Sequence, residues 1–204
     1  MILLAAAAAY VVGAIPVGYL IARAFGIGDI RRHGSGNIGA TNVLRAAGRL
    51  AAISTLAGDI VKGYAAVALA GWIGGDARAL ALGAVAAVAG NCWSVFLRFR
   101  GGKGVATGLG ALLRLAPLAT LAALPVFLVV VVTTRFVSLG SILGAACVPF
   151  GALALGAPRP AVAGAFAVAA IVVLRPHKNI TRLRAGTERR LGESRAADAE
   201  APAP

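Results

Sequence analysis

Residues 115–134 read LAPLATLAALPVFLVVVVTT, an apolar stretch of 20 residues that contains no charged side chain. A helix needs about 20 apolar residues to cross the ~30 Å hydrocarbon core of a bilayer, so this stretch predicts a membrane span. The whole chain agrees, because 59% of its 204 residues are hydrophobic and 13% are charged. A soluble domain has about 45–50% apolar and about 25% charged residues. The composition therefore excludes an ordinary soluble domain and indicates a polytopic membrane protein.

Six further apolar blocks accompany this span, at residues 2–25, 50–72, 78–97, 105–113, 136–156 and 161–174. The block at 105–113 is ambiguous, because a helix of its length, at about 1.5 Å per residue, covers roughly half of the core. If it crosses, seven spans place 15 Lys and Arg residues inside and three outside. If it does not, the first polar loop or the basic tail must be exported, which the positive-inside rule disfavours. We therefore predict an all-α integral membrane protein with seven transmembrane helices, the N-terminus outside and the polar, glycine-rich loops converging on the cytoplasmic face.

The net charge of +13, from 20 Lys and Arg against 7 Asp and Glu, has a membrane explanation. Basic residues crowd cytoplasmic loops and are attracted to the anionic headgroups of the lipid bilayer, so no nucleic-acid partner is predicted. Residues 1–195 are predicted to form a single membrane domain. Residues 196–204, rich in Ala, Pro and acidic side chains, are predicted to be a disordered tail.

The first candidate site is the loop RRHGSGNIGATNVLR at residues 31–45. Its glycines at 34, 36 and 39 let backbone N–H groups approach an anion, and a helix that begins after them presents its N-terminus to phosphate. Further donors are available from Ser35, Asn37, Thr41 and Arg45. This pattern favours an anion site over the alternative of a flexible polar loop.

The second candidate site is RFRGGKGVATG at residues 98–108, which again combines glycines, cations and a helix start. It is not a Walker A loop, because Leu97 stands where that motif needs Gly and Gly104 stands where it needs Ser or Thr. An ATPase is therefore disfavoured. A cytoplasmic anchor would explain the cations of this stretch but leaves its glycines without a reason.

The third candidate site is RPHKNITRLRAGTE at residues 175–188, a basic amphipathic stretch after the last span. It can belong to the same anion site or simply lie on anionic lipid. His177 in this stretch can serve as a base or only as a hydrogen-bond donor.

Asp59 and Lys62 are charged residues inside the second span, three positions apart on one helix face. Charges at that depth cost several kcal/mol unless they are paired or hydrated. A self-neutralising structural pair and a direct catalytic role both explain them.

Several chemistries are excluded by the sequence. No Ser stands in a G-x-S-x-G nucleophile elbow, and neither histidine is followed by an acid in the spacing of a His-Asp acyltransferase dyad. The two histidines, 144 positions apart, form no zinc constellation with the scattered carboxylates. The remaining interpretation is a site rich in phosphate binders, with no metal and no cofactor.

Five motifs follow one another along the chain: HGSGNIGATN at 33–42, DIVKG at 59–63, FRGGKGVAT at 99–107, SLGS at 138–141 and HKNITRL at 177–183. In these motifs, and over most of residues 13–188, the sequence resembles the bacterial acyl-phosphate:glycerol-3-phosphate acyltransferase family, PlsY. One departure is Asn91, which follows Gly90 where the family usually has His. The role of an imidazole is not carried over to this position, although Asn keeps the capacity for hydrogen bonds.

The resemblance implies transfer of a fatty acyl group from a long-chain acyl phosphate to the sn-1 hydroxyl of glycerol 3-phosphate. The products are lysophosphatidic acid and inorganic phosphate, in the first acylation of bacterial phospholipid synthesis. It also implies seven spans in the bacterial cytoplasmic (inner) membrane, a site facing the cytoplasm, and a functional link to the enzyme that forms acyl phosphate.

Carried over by position, Ser35, Arg45, Lys103, His177 and Asn179 contact the glycerol phosphate, and residues 101–108 hold the acyl-phosphate end. The predicted catalytic residues are His177, Ser35 and Asn179. The predicted substrate-binding residues are Gly34, Ser35, Gly36, Asn37, Gly39, Thr41, Asn42, Arg45, Arg100, Gly101, Gly102, Lys103, Gly104, Thr107, Gly108, His177, Asn179 and Glu188. The proton of the attacking hydroxyl has two candidate acceptors, His177 and a phosphate oxygen of the donor.

Two other functions are compatible with cationic loops on a membrane protein. A small transporter of a phosphorylated solute would use them as a vestibule, but it would be expected to show internal repeats, which the sequence lacks. A lipid-binding scaffold would need the basic charge but not the glycines among the donors.

Overall fold

The computed structural model describes residues 1–193, which fold into helices joined by short loops. The α-helices are α1 (Ile2–Ala14), α2 (Val17–Ala24), α3 (Ala40–Gly74), α4 (Ala77–Cys92), α5 (Val105–Leu115), α6 (Pro117–Thr134), α7 (Val137–Ala154), α8 (Arg159–Leu174) and α9 (His177–Arg184). Single 3-10 turns at Ile30–Arg32 and Val95–Leu97 lie between them. No strand occurs within residues 1–193, so the predicted all-α class is confirmed. The predicted disordered tail, 196–204, lies outside the described residues.

Five segments are long and apolar enough to cross a membrane: Ile2–Ala24, Ala40–Gly74, Ala77–Leu97, Pro117–Thr134 and Val137–Ala154. The helices α8 and α9, bent by 57° relative to each other, form a sixth when taken as one span. The ambiguous block forms α5, whose 11 residues extend about 17 Å. The predicted integral membrane class is confirmed by these apolar helices, while the count of seven crossings and the outside N-terminus stay predictions.

Two breaks redirect helices near the polar loops. The first span is interrupted between α1 and α2 at Pro16, which has no N–H to offer to a helical hydrogen bond. Within α3, Gly48 has φ 84° and ψ −176°, a backbone conformation that glycine adopts far more readily than other residues. The break at Gly48 separates a short arm, residues 40–47, from the apolar part of α3. The arm continues the first polar loop and carries Thr41, Asn42 and Arg45.

Glycines allow the closest helix contacts. A Cβ atom on Gly13 of α1 would collide with the Ala87 carbonyl of α4, and one on Gly90 of α4 would collide with the Tyr10 carbonyl of α1. The α3–α5 contact is built in the same way, with Gly110 of α5 against the backbone of α3. Small residues at such crossings let backbones approach closely enough for van der Waals packing to hold membrane helices together.

We expect Gly13→Ala to destabilise the protein and Gly151→Ala to leave its stability unchanged or slightly higher. The added methyl at Gly13 has no room, and overpacking costs about 1–3 kcal/mol. At Gly151 a Cβ would lie 3.4 Å from the Ala119 Cβ, an ordinary contact. Apparent melting temperatures of both variants in detergent check this, and equal melting temperatures would contradict the close α1–α4 packing.

Candidate functional site

The first polar loop is organised by the side chain of Asn42, which is buried at the start of α3. Its Oδ1 accepts a hydrogen bond from the Ser35 N–H (2.9 Å), and its Nδ2 donates to the carbonyl oxygens of His33 (2.9 Å) and Asn37 (2.8 Å). Gly34 has φ +57°, and a Cβ there would collide with Asn42 Oδ1. Asn42 therefore positions the loop, with its amide already engaged in hydrogen bonds to the backbone.

The second polar loop lies on the end of α4. The Gly102 N–H donates to the Asn91 carbonyl (2.9 Å), and the Gly101 N–H donates to the Cys92 carbonyl (3.2 Å). A Cβ on Gly101 would collide with the Asn91 carbonyl oxygen, so this approach requires glycine. The contact with α4 determines where the next side chain, Lys103, is placed.

Lys103 is largely withdrawn from solvent, and this burial lowers the pKa of its ammonium to about 8. The nearby carboxylate of Glu188 acts in the opposite direction, whereas the Arg45 and Arg182 guanidinium groups lower the pKa further. A cation from each of the three polar segments therefore lies in one electrostatic cluster.

The third polar segment is held by the carboxylate of Glu188. Its Oε1 accepts hydrogen bonds from Ser138 Oγ (2.7 Å) and from Asn179 Nδ2, and its Oε2 lies 2.8 Å from Arg182 Nε. Burial alone would raise the pKa of Glu188, but the hydrogen bonds from Asn179, Arg182 and Ser138 outweigh it and lower the pKa. Glu188 thus ties α9 to the start of α7 as an anion.

Three residues after Glu188, Leu191 also forms hydrogen bonds with Arg135 at the end of α6. The Leu191 N–H donates to the Arg135 carbonyl (2.7 Å), and Arg135 Nη2 donates to the Leu191 carbonyl (2.8 Å). Residues 188–191 therefore cross the connection between α6 and α7.

A cavity of about 660 Å³ opens where the three polar segments meet. Its polar end is lined by residues from each of them: Ser35, Asn37, Thr41, Arg45, Lys103, Asn179, Arg182 and Glu188. From this end the cavity continues between apolar side chains of α3, α5, α6 and α7: Ile53, Leu56, Leu109, Leu112, Leu124, Phe127, Ala145 and Val148. The arrangement joins a cationic mouth to a hydrocarbon-like groove.

A second cavity, of about 140 Å³, is polar and shares part of its wall with the first. Five residues line both cavities: Ser35, Asn37, Lys103, Pro176 and Asn179. Arg175, His177 and Lys178 belong to the smaller cavity alone. Two anionic groups bound in the two cavities would therefore share Lys103 as a common cation.

Comparisons with known proteins show the family to which the chain belongs. The chain matches the sequence model of the family described as Glycerol-3-phosphate acyltransferase over residues 3–186. It is 50% identical to the glycerol-3-phosphate acyltransferase of Geobacter sulfurreducens, with 92% of this chain and 96% of that protein covered. It is 47% identical to glycerol-3-phosphate acyltransferase 2 of Moorella thermoacetica, with 95% and 99% covered. This chain belongs to the glycerol-3-phosphate acyltransferase family.

Solved structures of this acyltransferase family share the fold. A crystal structure of PlsY, an integral membrane glycerol 3-phosphate acyltransferase, in its glycerol 3-phosphate form superposes with a TM-score of 0.87 at 35% identity. The superposition covers 94% of this chain and 96% of that chain. The lysophosphatidic acid form gives a TM-score of 0.85 at 34% identity, with 94% and 95% covered. The resemblance to PlsY acyltransferases stated from the motifs is confirmed.

Most of the predicted substrate-binding residues lie in the wall of one of the two cavities. The main cavity is lined by Gly34, Ser35, Asn37, Gly39, Thr41, Asn42, Arg45, Lys103, Gly104, Gly108, Asn179 and Glu188. The smaller cavity adds Gly36, Gly101, Gly102 and His177. Arg100 and Thr107 line neither; Arg100 is exposed, and Thr107 is buried beneath the loop, with no hydrogen-bond partner for its Oγ1 within residues 1–193. Substrate binding by each of these residues stays a prediction.

Three further residues that line the cavities had no assigned role in the sequence analysis. Ser138 lies in the quoted SLGS motif but was not predicted to take part, and its hydroxyl donates to Glu188. Arg182 pairs with the same carboxylate, which the six-residue spacing between them could not reveal. Arg175 lines the smaller cavity, with its guanidinium 5.4 Å from the centre of the Trp93 ring.

The charged pair inside α3 lies beside this site. Lys62 Nζ lies 2.8 Å from Asp59 Oδ1 and donates to the Ile15 carbonyl (2.6 Å) and to Asn91 Oδ1 (2.9 Å). Asp59 and Asn91 both line the main cavity. The buried Lys62 ammonium therefore has three oxygen partners, which accounts for the pair structurally.

We expect Lys62→Met to lower the apparent melting temperature strongly, because it leaves the Asp59 carboxylate buried without its cation. Breaking a buried ion pair in this way costs about 3–5 kcal/mol. The double variant Asp59→Asn/Lys62→Met removes both charges and should recover part of the loss. A double variant that melts below both single variants would contradict mutual neutralisation, and the Asp59→Asn single variant completes the thermodynamic cycle.

Proposed function

We propose that the protein transfers a fatty acyl group from acyl phosphate to the sn-1 hydroxyl of glycerol 3-phosphate, giving lysophosphatidic acid and inorganic phosphate. The observation that carries this proposal is a single cavity that joins a cationic mouth to an apolar groove, next to a small polar cavity that shares Lys103. One substrate with an anionic head and a long alkyl chain fits the first cavity. A small phosphate ester fits the second.

In this arrangement the acyl phosphate lies in the main cavity, with its phosphate among Arg45, Lys103 and Arg182 and its chain between α3, α5, α6 and α7. The proposal thereby departs from the assignment that the resemblance implies, because Arg45 lines only the main cavity while Gly101 and Gly102 line only the smaller one. Glycerol 3-phosphate lies in the smaller cavity, where Arg175, His177 and Lys178 surround its phosphate. Charge-assisted hydrogen bonds from such groups are the strong form of phosphate recognition. Lys103 contacts both substrates and reduces the repulsion between two anions that must approach each other.

The reaction needs little covalent help from the protein, because the acyl donor is already activated. The sn-1 oxygen attacks the acyl carbon, a new C–O ester bond forms, and the C–O bond to phosphate breaks. Holding the two reactants in this geometry is itself a large contribution to catalysis. The negative charge that develops on the acyl oxygen can be stabilised by hydrogen-bond donors at the shared wall, among them Ser35 Oγ, Asn37 Nδ2 and the adjacent backbone N–H groups.

The proton of the attacking hydroxyl passes to a phosphate oxygen of the donor. Among the described residues that line the two cavities, the carboxylates are Asp59 and Glu188, and both are held in ion pairs. His177 is exposed and lines the smaller cavity beside Arg175 and Lys178, and the proposal assigns it to the glycerol phosphate as a hydrogen-bond donor. Asn179 donates to Glu188, while its Oδ1 is buried and has no hydrogen-bond partner within residues 1–193.

The proposed location is the bacterial cytoplasmic (inner) membrane, with the mouth of the site facing the cytoplasm. The basic residues of the three polar segments support this orientation through the positive-inside rule. The acyl phosphate would reach the mouth from the enzyme that forms it, which makes that enzyme a functional partner.

The test is to incubate the purified protein in detergent and EDTA with labelled glycerol 3-phosphate and palmitoyl phosphate. We expect lysophosphatidic acid from palmitoyl phosphate and none from palmitoyl-CoA, and a strong loss of product in Ser35→Ala. Thr133→Ala is the matched control, because that hydroxyl donates to its own helix and lines neither cavity. His177→Ala should keep most of kcat while KM for glycerol 3-phosphate rises, and a collapse of kcat would make the imidazole the proton acceptor.

Absence of product from every donor, in a sample that melts cooperatively, would overturn the proposal. The sequence-based alternative, transport of a phosphorylated solute, would then be tested by uptake of labelled glycerol 3-phosphate into proteoliposomes.

We expect KM for glycerol 3-phosphate to rise as the pH increases through about 8. The pKa of Lys103, lowered to about 8 by burial, means that its ammonium is charged below this pH and neutral above it. The substrate phosphate, with a second pKa of about 6, is already a dianion in this range, so the protein group dominates the change. In Lys103→Arg the cation persists to high pH, and the rise in KM near pH 8 should disappear. A wild-type KM that stays constant from pH 7 to about 9.5 would contradict the assignment.

A further inference from the structure

Buried side chains line the end of the apolar groove that is farthest from the mouth, and its distance from the mouth follows from helix geometry. Along α7 the groove is lined in turn by Ser138, Ser141, Ala145 and Val148. Ser138 donates to Glu188 at the mouth. With a rise of 1.5 Å per residue, Val148 lies about 15 Å deeper than Ser138.

Three residues from different helices line this end: Leu112 of α5, Thr120 of α6 and Val148 of α7. Each is only 2–3% exposed. The hydroxyl of Thr120 donates to the Ala116 carbonyl (2.8 Å) within its own helix. Because that polar atom is already satisfied, this end of the groove offers only hydrocarbon contacts. We call these three residues the groove floor.

The depth of the groove corresponds to a defined length of alkyl chain. Carbon–carbon bonds of about 1.5 Å in a zigzag advance roughly 1.3 Å per carbon, so 15 Å holds about 12 straight-chain carbons below the level of Ser138. Each methylene that reaches the groove is removed from water or lipid and packed. When a methylene does not fit, either the alkyl chain must bend or the side chains of the floor must move.

We propose that the groove floor sets the acyl-chain length that this protein accepts, with Val148 and Ala145 as the residues that determine this specificity. The inference rests on the proposed acyl transfer and adds to it the residues that limit the length of the acyl chain. Ala145 lies one turn above Val148 and presents a single methyl group to the groove, so a larger side chain there raises the floor by about 4 to 5 Å. Trimming Val148 deepens the groove by the space of its missing methyl groups.

The competing possibility is a side exit between α3 and α6. On the α3 side, the groove is lined by Ile53 and Leu56, which are 64% and 45% exposed. A long chain that leaves through this side would never contact the floor. The two possibilities differ in what they predict for chain-length selectivity, because the side exit makes it independent of Val148 and Ala145.

The experiment measures kcat/KM for a series of acyl phosphates with saturated chains of 8 to 18 carbons, on wild type, Ala145→Leu and Val148→Ala. The matched control is Val168→Ala, because Val168 is fully buried in the same core and lines neither cavity. We expect Ala145→Leu to move the best donor to a chain about three carbons shorter, with about fourfold lost in kcat/KM per methylene that no longer fits. Val148→Ala should move the best donor to a longer chain, and Val168→Ala should leave the profile unchanged.

Profiles of unchanged shape in both Ala145→Leu and Val148→Ala, in active enzymes, would overturn the proposal and support the side exit. If Val148→Ala does not fold, Ala145→Leu decides the question alone, since a half-buried position facing the cavity tolerates the larger side chain. Failure of the proposed function is distinguishable, because wild type would then form no lysophosphatidic acid from any member of the series.

Discussion

The buried ammonium of Lys62 is the interaction on which the geometry of the mouth depends. It lies within hydrogen-bonding distance of the Asp59 carboxylate, the Ile15 carbonyl at the break of the first span, and the Asn91 amide of α4. A charge at this depth is tolerated only when its donors are satisfied. Three segments must therefore stay in register around one nitrogen atom.

The consequence of that register reaches the polar loops through Asn91. Its Oδ1 accepts a hydrogen bond from Lys62, and its backbone carbonyl accepts one from the Gly102 N–H. One residue therefore connects the buried charge to the second loop. The position of Lys103 follows from this connection, because it is the next residue after Gly102. An exposed loop rich in glycine would lose considerable conformational entropy on ordering, and these anchors on α4 offset that loss before any substrate arrives.

The sequence predicted the helical class, the positions of the apolar blocks and the convergence of the three polar segments, because these depend on local patterns of hydropathy and charge. It did not predict that Asn42 turns inward, since the same donors suit a substrate or the backbone and only the loop conformation chooses between them. The hydrogen bond between Ser138 and Glu188 could not be predicted either, because it joins residues 50 positions apart. The break at Gly48 was hidden as well, because an isolated glycine inside a helical pattern is more often tolerated than a site of bending.

The short helix α5 shows why the apolar block at 105–113 was ambiguous. Length alone suggested half a span, and α5 indeed extends only about 17 Å. Its packing explains how a short helix suffices: Gly110 lies against the backbone of α3, and Leu112 lines the far end of the groove. A longer helix at this position would push the groove floor away from the mouth, whereas α5 carries the second loop at its start and the floor near its end. In the proposed arrangement, one short helix thus determines the distance between the binding of the head group and the burial of the chain, which accounts for a segment too short for an ordinary span.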